Sequence, residues 1–150
     1  MATTALTGQD THKVNGRILQ DLAPGDCVVY EFDGDIVNSK RGKNGNTIHA
    51  LNESGKIAKA TYRVITGSAD DKFFQGLLSS AENDFSQASL IIGESVKRMG
   101  GDGGLNPVTY SGTGGVIRKK PGMKTNSDGD IEQAITMWEV TYSNIVRTIG

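Results

Sequence analysis

The sequence predicts a mainly β fold, α+β in strict terms: packed antiparallel sheets forming a sandwich or barrel, with one flanking α-helix and a long loop. Three observations predict it. Apolar and polar residues alternate at period two in Cys27–Asp33, Ile57–Ile65 and the C-terminal stretch Ile131–Val146, as in strands with one buried and one solvated face. Only "GSADDKFFQGLLSSAEND", Gly67–Asp84, carries apolar residues at helical spacing. Glycine fills 20 of 150 positions, against a usual share of about 7%, without a collagen period, which points to turns, bulges and loops.

The elements follow in order. Residues 1–10 are small and polar and read as a flexible or docking arm. Val14–Leu19 is a short strand, with Asn15-Gly16 as a bulge or bend. Pro24-Gly25 punctuates a turn over Asp21–Asp26. In "CVVYEFD", Val28, Tyr30 and Phe32 share one strand face. A loop spans residues 39–56. In "IAKATYRVI", Ala58, Ala60, Tyr62 and Val64 line one face while Lys59, Thr61 and Arg63 line the other.

Ser68 is a good helix N-cap, and Asp71 three positions on nearly completes a capping box. Asp70 and Asp71 both suit the first turn of a helix dipole. Phe73, Phe74, Leu77 and Leu78 form one apolar stripe that should pack on the sheet as core. Phe85–Arg98 reads as strand, with Ala88, Leu90, Ile92 and Val96 on one face. Met99–Pro107 is a glycine-rich hairpin loop, Val108–Lys120 a strand interrupted by "SGTGG", and Lys120–Asp130 a turn region. Ile131–Val146 closes the chain as one long strand, with Trp138, Val140 and Tyr142 opposite Met137, Glu139 and Thr141. The expectation is six to eight strands and one helix in a single domain, 1–150, long enough to bury roughly 68–70% of its unfolded surface.

Composition excludes several classes. With 16 basic and 17 acidic residues the net charge is −1, and a dedicated nucleic-acid binder needs a cationic surplus. One cysteine, Cys27, rules out an intrachain disulfide framework. The N-terminus does not read as a secretory signal, and no stretch nears the roughly 20 apolar residues of a membrane span, so cytoplasmic synthesis is expected.

No motif announces chemistry. Gly42-Lys43 and Gly55-Lys56 lack the upstream glycine, the Ser/Thr and the following helix of a phosphate loop. The runs "GGDGG" and "SGTGG" break the dinucleotide spacing at Asn106 and Ile117. His12 and His49 have no second ligand at metal spacing. Asn126, Asp128 and Asp130 alternate as in a calcium loop, which needs a glycine after Asp130 and a terminal glutamate. Cys27 reads as a packed strand residue and Ser111 has no nucleophile elbow. Asp70 and Asp71 point about 100° apart on a helix, and capping accounts for both. No cofactor, metal or enzymatic activity is expected.

The loop 39–56 is different. Loops this long inside a compact domain are usually functional. Its tip "KRGKNGN" is basic, and its second half carries Ile48, Ala50 and Leu51, as in an arm that docks; the alternative is a solvated hairpin tip. The stretches "TALTGQDT", "NGRILQDLAPGD", "GKNGNTIHALNESGK", "GSADDKF", "GESVKR" and "TNSDGDIEQA", in that order over nearly the whole chain, resemble the tail tube protein of contractile-tailed, myovirus-type bacteriophages. That family is related in plan to R-type pyocin and type VI secretion tubes.

The resemblance implies packed antiparallel sheets with a helix, and hexameric rings stacked into a hollow tube in the virion, assembled in the host cytoplasm. Each subunit would add strands to a shared inner barrel. Partners would be further copies, the tail sheath, and baseplate, initiator and terminator proteins. Tape-measure protein and DNA would pass through the lumen without sequence-specific binding. On this reading the arm reaches the neighbouring ring through Lys40, Arg41, Lys43, Asn44, Asn46, Ile48 and Leu51. Thr3–Asp10 and Arg147–Gly150 add contacts, and Lys72 and Gln75 face the sheath. Either Lys59, Thr61 and Arg63 or Glu139, Thr141 and Ser143 line the channel. The alternatives are a terminator or baseplate ring protein of the same fold, and a small sugar- or ligand-binding β domain. The last needs an aromatic platform, whereas Trp138 and the tyrosines fall mainly on apolar strand faces.

Overall fold

The structure, a computed structural model, describes residues 3–88, 90–101 and 104–150. Its strands are β1 (Thr4–Leu6), β2 (Thr11–Val14), β3 (Arg17–Ile18), β4 (Val28–Phe32), β5 (Val37–Arg41), β6 (Thr47–Leu51), β7 (Ala58–Ile65), β8 (Ile91–Lys97), β9 (Met99–Gly101), β10 (Gly104–Leu105), β11 (Val108–Ile117), β12 (Ile135–Tyr142) and β13 (Asn144–Ile149), with one helix, α1 (Ala69–Asn83), between β7 and β8. The fold is mainly β, with antiparallel sheets and a flanking helix. The main sheet runs β3-β2-β8-β11-β12-β7-β4, with β13 also on β11.

Strand β11 joins two halves of that sheet. Val108–Thr113 pair with Ile149–Asn144 of β13, while Val116 and Ile117 pair with Thr141 and Val140 of β12. On its other edge the register with β8 shifts between Gly112 and Gly115, a bulge that bends the strand. The reason lies inside. The Tyr142 ring fills the space that a Cβ would need at Gly93, Gly112 and Gly115. A phenol ring seated on bare backbone demands glycine at all three.

The two halves close on one core. β7 and β12 contribute Ala58, Ala60, Tyr62, Val64, Trp138, Val140 and Tyr142; the opposite half contributes Val14, Ile91 and Ile145. Phe74 from α1 is fully buried, 5.4 Å from the Tyr62 ring and stacked 5.7 Å from Trp138. Burying such side chains contributes about 1.5–3 kcal/mol each. The alternation in β7 matches the sequence reading.

Several expectations need correction. Asn15-Gly16 is no bulge: with φ of 50° and 81° the pair forms the two-residue turn of a β2–β3 hairpin. Residues 4–6 of the supposed arm pair with β9 in their own chain; residues 1–2 lie outside the described residues, as do Asp102 and Gly103 of the glycine-rich loop. Ile131–Val146 is not one strand. A 3-10 turn covers Ile131–Ala134, and the chain breaks at Ser143, whose Oγ donates to the Gly114 carbonyl at 3.1 Å. Phe85–Arg98 opens with a 3-10 turn at Phe85–Gln87, and its Ser89 lies outside the described residues. The inward face of β8 is Ile91, Gly93 and Ser95, so Leu90 and Ile92 are exposed instead of buried. Phe32 is also largely exposed.

The helix stripe divides. Phe74 and Leu78 are buried, whereas Phe73 and Leu77 pack half-exposed at its flank. Ser68 caps the helix by accepting from Asp71 N–H at 3.3 Å, and Asp71 reaches back to accept from Gly67 N–H at 2.9 Å. Its other oxygen accepts from Trp138 Nε1 at 2.9 Å. Asp70 is more than a dipole partner. It is fully buried and accepts from Arg17 Nε at 3.0 Å and from the N–H groups of Gln20 and Asp21 at 2.7 Å each. Asp70→Ala strands the guanidinium and two amides, and should cost about 3 kcal/mol or more. Urea unfolding of the purified variant measures this; an unchanged midpoint would contradict the assignment.

Candidate functional site

Two surfaces stand out. The first is the β5–β6 hairpin, which occupies most of the stretch read as a loop. All ten strand residues are exposed. Register places Val37, Ser39 and Arg41 beside Leu51, His49 and Thr47, and puts Asn38 and Lys40 beside Ala50 and Ile48 on the other face. Ile48 and Leu51, read together from the sequence, therefore point to opposite faces. The Ser39 hydroxyl lies 2.6 Å from His49 Nδ1. At the tip a 3-10 turn, Lys43–Gly45, holds Asn44 at φ 67° and Gly45 at φ 82°, and Gly42 N–H donates to the Asn46 carbonyl at 2.6 Å. Asparagine and glycine are the residues that enter this left-handed region most readily. Lys40, Arg41 and Lys43 thus extend from a structured turn, with no acidic residue from Val37 to Leu51.

The hairpin base is fastened. Asn52 donates to the Asp35 carbonyl at 3.0 Å and accepts from Ser54, and Gly55 lies where a Cβ would come within 2.6 Å of Asp35 O. The root is fixed while the shaft stands exposed.

The second surface is the outer face of β4, β7 and β12. The sequence left two candidate polar faces. Register makes them one, since Glu139 pairs with Thr61 and Thr141 with Lys59. Ser143 lies beyond the end of β12, at the corner with β11, where its N–H donates to the Thr113 carbonyl at 3.1 Å. A shallow cleft of about 400 Å³ here is lined by Asp26, Glu31, Lys59, Thr61, Arg63 and Glu139 among others. Lys59 lies 3.9 Å from Glu31. Arg63 is not a free cation: its Nη2 donates to both Glu132 oxygens at 2.7 and 2.8 Å, and Nη1 donates to the Pro24 carbonyl at 3.2 Å. With both cations paired, Asp26 and Glu139 leave the face with an acidic excess. Thr141 Oγ1 is covered from solvent with no hydrogen-bond partner among the described residues.

Lys72 and Gln75 are exposed on α1, beside a cleft of about 480 Å³ between the helix start and residues 121–124. Trp138 borders this cleft but is itself buried, so it presents no aromatic platform. Among the described residues no three His, Cys, Asp or Glu side chains are grouped to hold a metal, and no helix is long and apolar enough to cross a membrane.

No protein-family model matches the sequence, and no curated protein does. Solved structures do. The tube-terminating cap of the anti-feeding prophage aligns with a TM-score of 0.65 at 8% identity, over 97% of this chain and 91% of that one. A chain from the PVC sheath-tube complex, an extracellular contractile injection system in its extended state, gives 0.61 at 12% identity, over 97% and 92%. The chain shares its fold with both. Each neighbour is spanned nearly end to end.

The paired Arg63 fork makes a checkable claim about the second surface. Arg63→Lys keeps the charge but loses the bidentate geometry. It should lower stability by about 1–2 kcal/mol through the released carbonyl and carboxylate contacts. Thermal unfolding tests this, and a melting temperature equal to the parent would show the fork to be incidental.

Proposed function

We propose that this chain is a structural subunit of the inner tube of a contractile tail of the bacteriophage type, acting as hexameric rings stacked into a hollow conduit. The observation that carries the reading is the β5–β6 hairpin. An isolated two-stranded hairpin is marginal in water, and three strands or a packed face are normally needed. This hairpin is rooted firmly yet exposed along both faces, so a neighbouring copy supplies its missing contact. The fold shared with contractile-injection components over nearly the full chain supports the same reading.

Roles then follow from position. The basic tip, Lys40, Arg41 and Lys43 with Asn44 and Asn46, contacts the next ring, and Ile48 and Leu51 supply apolar contact on opposite faces. The chain ends, Thr3–Asp10 and Arg147–Gly150, border adjacent subunits. The outer face of β4, β7 and β12 lines the lumen. Its unpaired acids disfavour phosphate binding, so DNA and tape-measure protein slide through unretained. Lys72 and Gln75 on α1 face the sheath. Baseplate and terminator proteins cap the ends, and the assembly belongs to the virion, built in the host cytoplasm.

A second reading is a terminating cap, favoured by the alignment to the anti-feeding prophage cap. Copy number per particle separates the two, since a tube subunit is abundant and a cap forms one ring.

Deleting Gly42–Asn46 should leave a folded protein that makes rings but no tubes in negative-stain micrographs. Normal tubes after the deletion would remove the hairpin from the stacking contact. Glu139→Lys should slow genome ejection while leaving tube assembly intact; unaltered ejection would place the channel wall on another face.

A further inference from the structure

One continuous hydrogen-bonded chain threads the interior from the β2 edge to the centre of the core. His12 Nδ1 lies 2.9 Å from Ser95 Oγ, Ser95 Oγ 2.5 Å from Tyr30 Oη, Tyr30 Oη 3.4 Å from Tyr62 Oη, and Tyr62 Oη 2.9 Å from Tyr142 Oη. It crosses from β2 and β8 to β4, β7 and β12, joining the two halves of the sandwich. Tyr62 and Tyr142 are fully buried, and Ser95 nearly so.

We propose that His12 is an acid-sensitive latch: neutral, it ends this chain as an acceptor at Nδ1, and protonated there it forces the donor order to reverse and loosens β2 from the core.

The chain has four links and four hydroxyl protons, one each on Ser95, Tyr30, Tyr62 and Tyr142. With an accepting Nδ1, Tyr142 donates to Tyr62, Tyr62 to Tyr30, Tyr30 to Ser95 and Ser95 to His12, and every proton has an acceptor. A proton arriving from solvent at Nδ1 turns His12 into a donor. Four hydroxyl protons then share three links. One is left without an acceptor among the described buried groups or a link opens, and either outcome is unfavourable.

The surroundings agree. Burial holds the His12 imidazole below its ordinary 6.5; Lys97 of β8 pushes the same way, and Asp10, leading into β2, opposes them. Burial also raises the phenols of Tyr30, Tyr62 and Tyr142. Glu94 of β8 adds to the rise at Tyr30. Tyr110 of β11 stacks on Tyr30 at 5.4 Å, with the Arg147 guanidinium of β13 6.0 Å from the Tyr110 centroid. These phenols stay protonated at any physiological pH, so His12 is the group that switches. Its proton affinity is lower folded than unfolded. Stability is therefore full above about pH 6.5 and falls as the pH drops from there through the folded value. Strand β2 is the element that yields, because among the described residues only the two-residue β3 pairs its outer edge.

Long-range proton–nitrogen NMR of the full chain tests this, with His49→Gln identifying the His12 signals. Nδ1 should be unprotonated at pH 7.5. Amides of Thr11–Val14 should lose hydrogen-exchange protection relative to those of Ala58–Val64 as His12 titrates, after correction for intrinsic rates. Ser95→Ala removes the donor to Nδ1 while keeping the burial, and should raise the His12 midpoint by about half a unit, a threefold gain in proton affinity. A protonated Nδ1 at pH 7.5, unchanged protection of Thr11–Val14 in acid, or an unmoved midpoint in a folded Ser95→Ala would each overturn the latch. The first two readouts use the native chain and stand even where that variant does not fold.

Discussion

The buried carboxylate of Asp70 is the contact on which the arrangement of the remaining elements depends. A charge removed from water is expensive unless every lone pair is engaged. Here three groups are the partners: the guanidinium of Arg17 on β3 and the amides of Gln20 and Asp21 in the connection to β4. The carboxylate cannot be satisfied until the start of α1 and the end of the β2–β3 hairpin are both in place. Asp71, one residue on, ties the same helical turn to Trp138 on β12. The first turn of α1 thereby fixes where the helix lies against both halves of the sandwich, and Arg17 extends the contact 5.5 Å from the Phe73 centroid.

With the helix so placed, aromatic rings from one half pack against Val14, Ile91, Ile145 and bare glycine backbone of the other. Tyr142 lies against Gly93, Gly112 and Gly115, so β8 and β11 approach without side chains between them and the ring. Core demand is met entirely on the inner faces. The outer face of β4, β7 and β12 is left to charged and hydroxyl side chains, and the β5–β6 hairpin lies outside both halves. Surfaces released from packing in this way are the ones available for contact with a partner.

Strands whose inner face is wholly apolar were legible in the sequence. Ala58, Ala60, Tyr62 and Val64 alternate against Lys59, Thr61 and Arg63, and no other register suits them. β8 was misread because its inner face carries Gly93 and Ser95, chosen by a distant phenol and a hydroxyl chain, while apolar Ile92 points outward. The β5–β6 strands gave no alternation because neither face is buried, so a period of two had nothing to mark. Asp70 and Asp71 are equivalent as helix-start residues, and only the fold separates the buried one from the cap. That Lys59 and Glu139 lie on one surface is a fact of β7–β12 register, which no local pattern contains.

Edges bear on how such a subunit assembles. Among the described residues β4 borders only β7, and β13 borders only β11. Unpaired strand edges invite association unless covered or charged, and closing a ring of strands removes them. Glu31 on β4 and the exposed Asp33 and Asp35 beyond it oppose indiscriminate pairing at that edge, while Arg147 marks β13 with the opposite sign. A heterologous contact that brings unlike edges together repeats from copy to copy, and closes into a ring only where the rotation closes, whereas like edges repel. The hairpin works along a different direction, since its strands form a separate sheet that pairs with neither edge. On the proposed reading, lateral closure and axial stacking would be carried by different residues. A tube subunit must use both, and a terminating cap must leave one axial surface unfilled. What distinguishes the two roles on a common fold is therefore the occupancy of the hairpin and of the surface that receives it, not the sandwich itself.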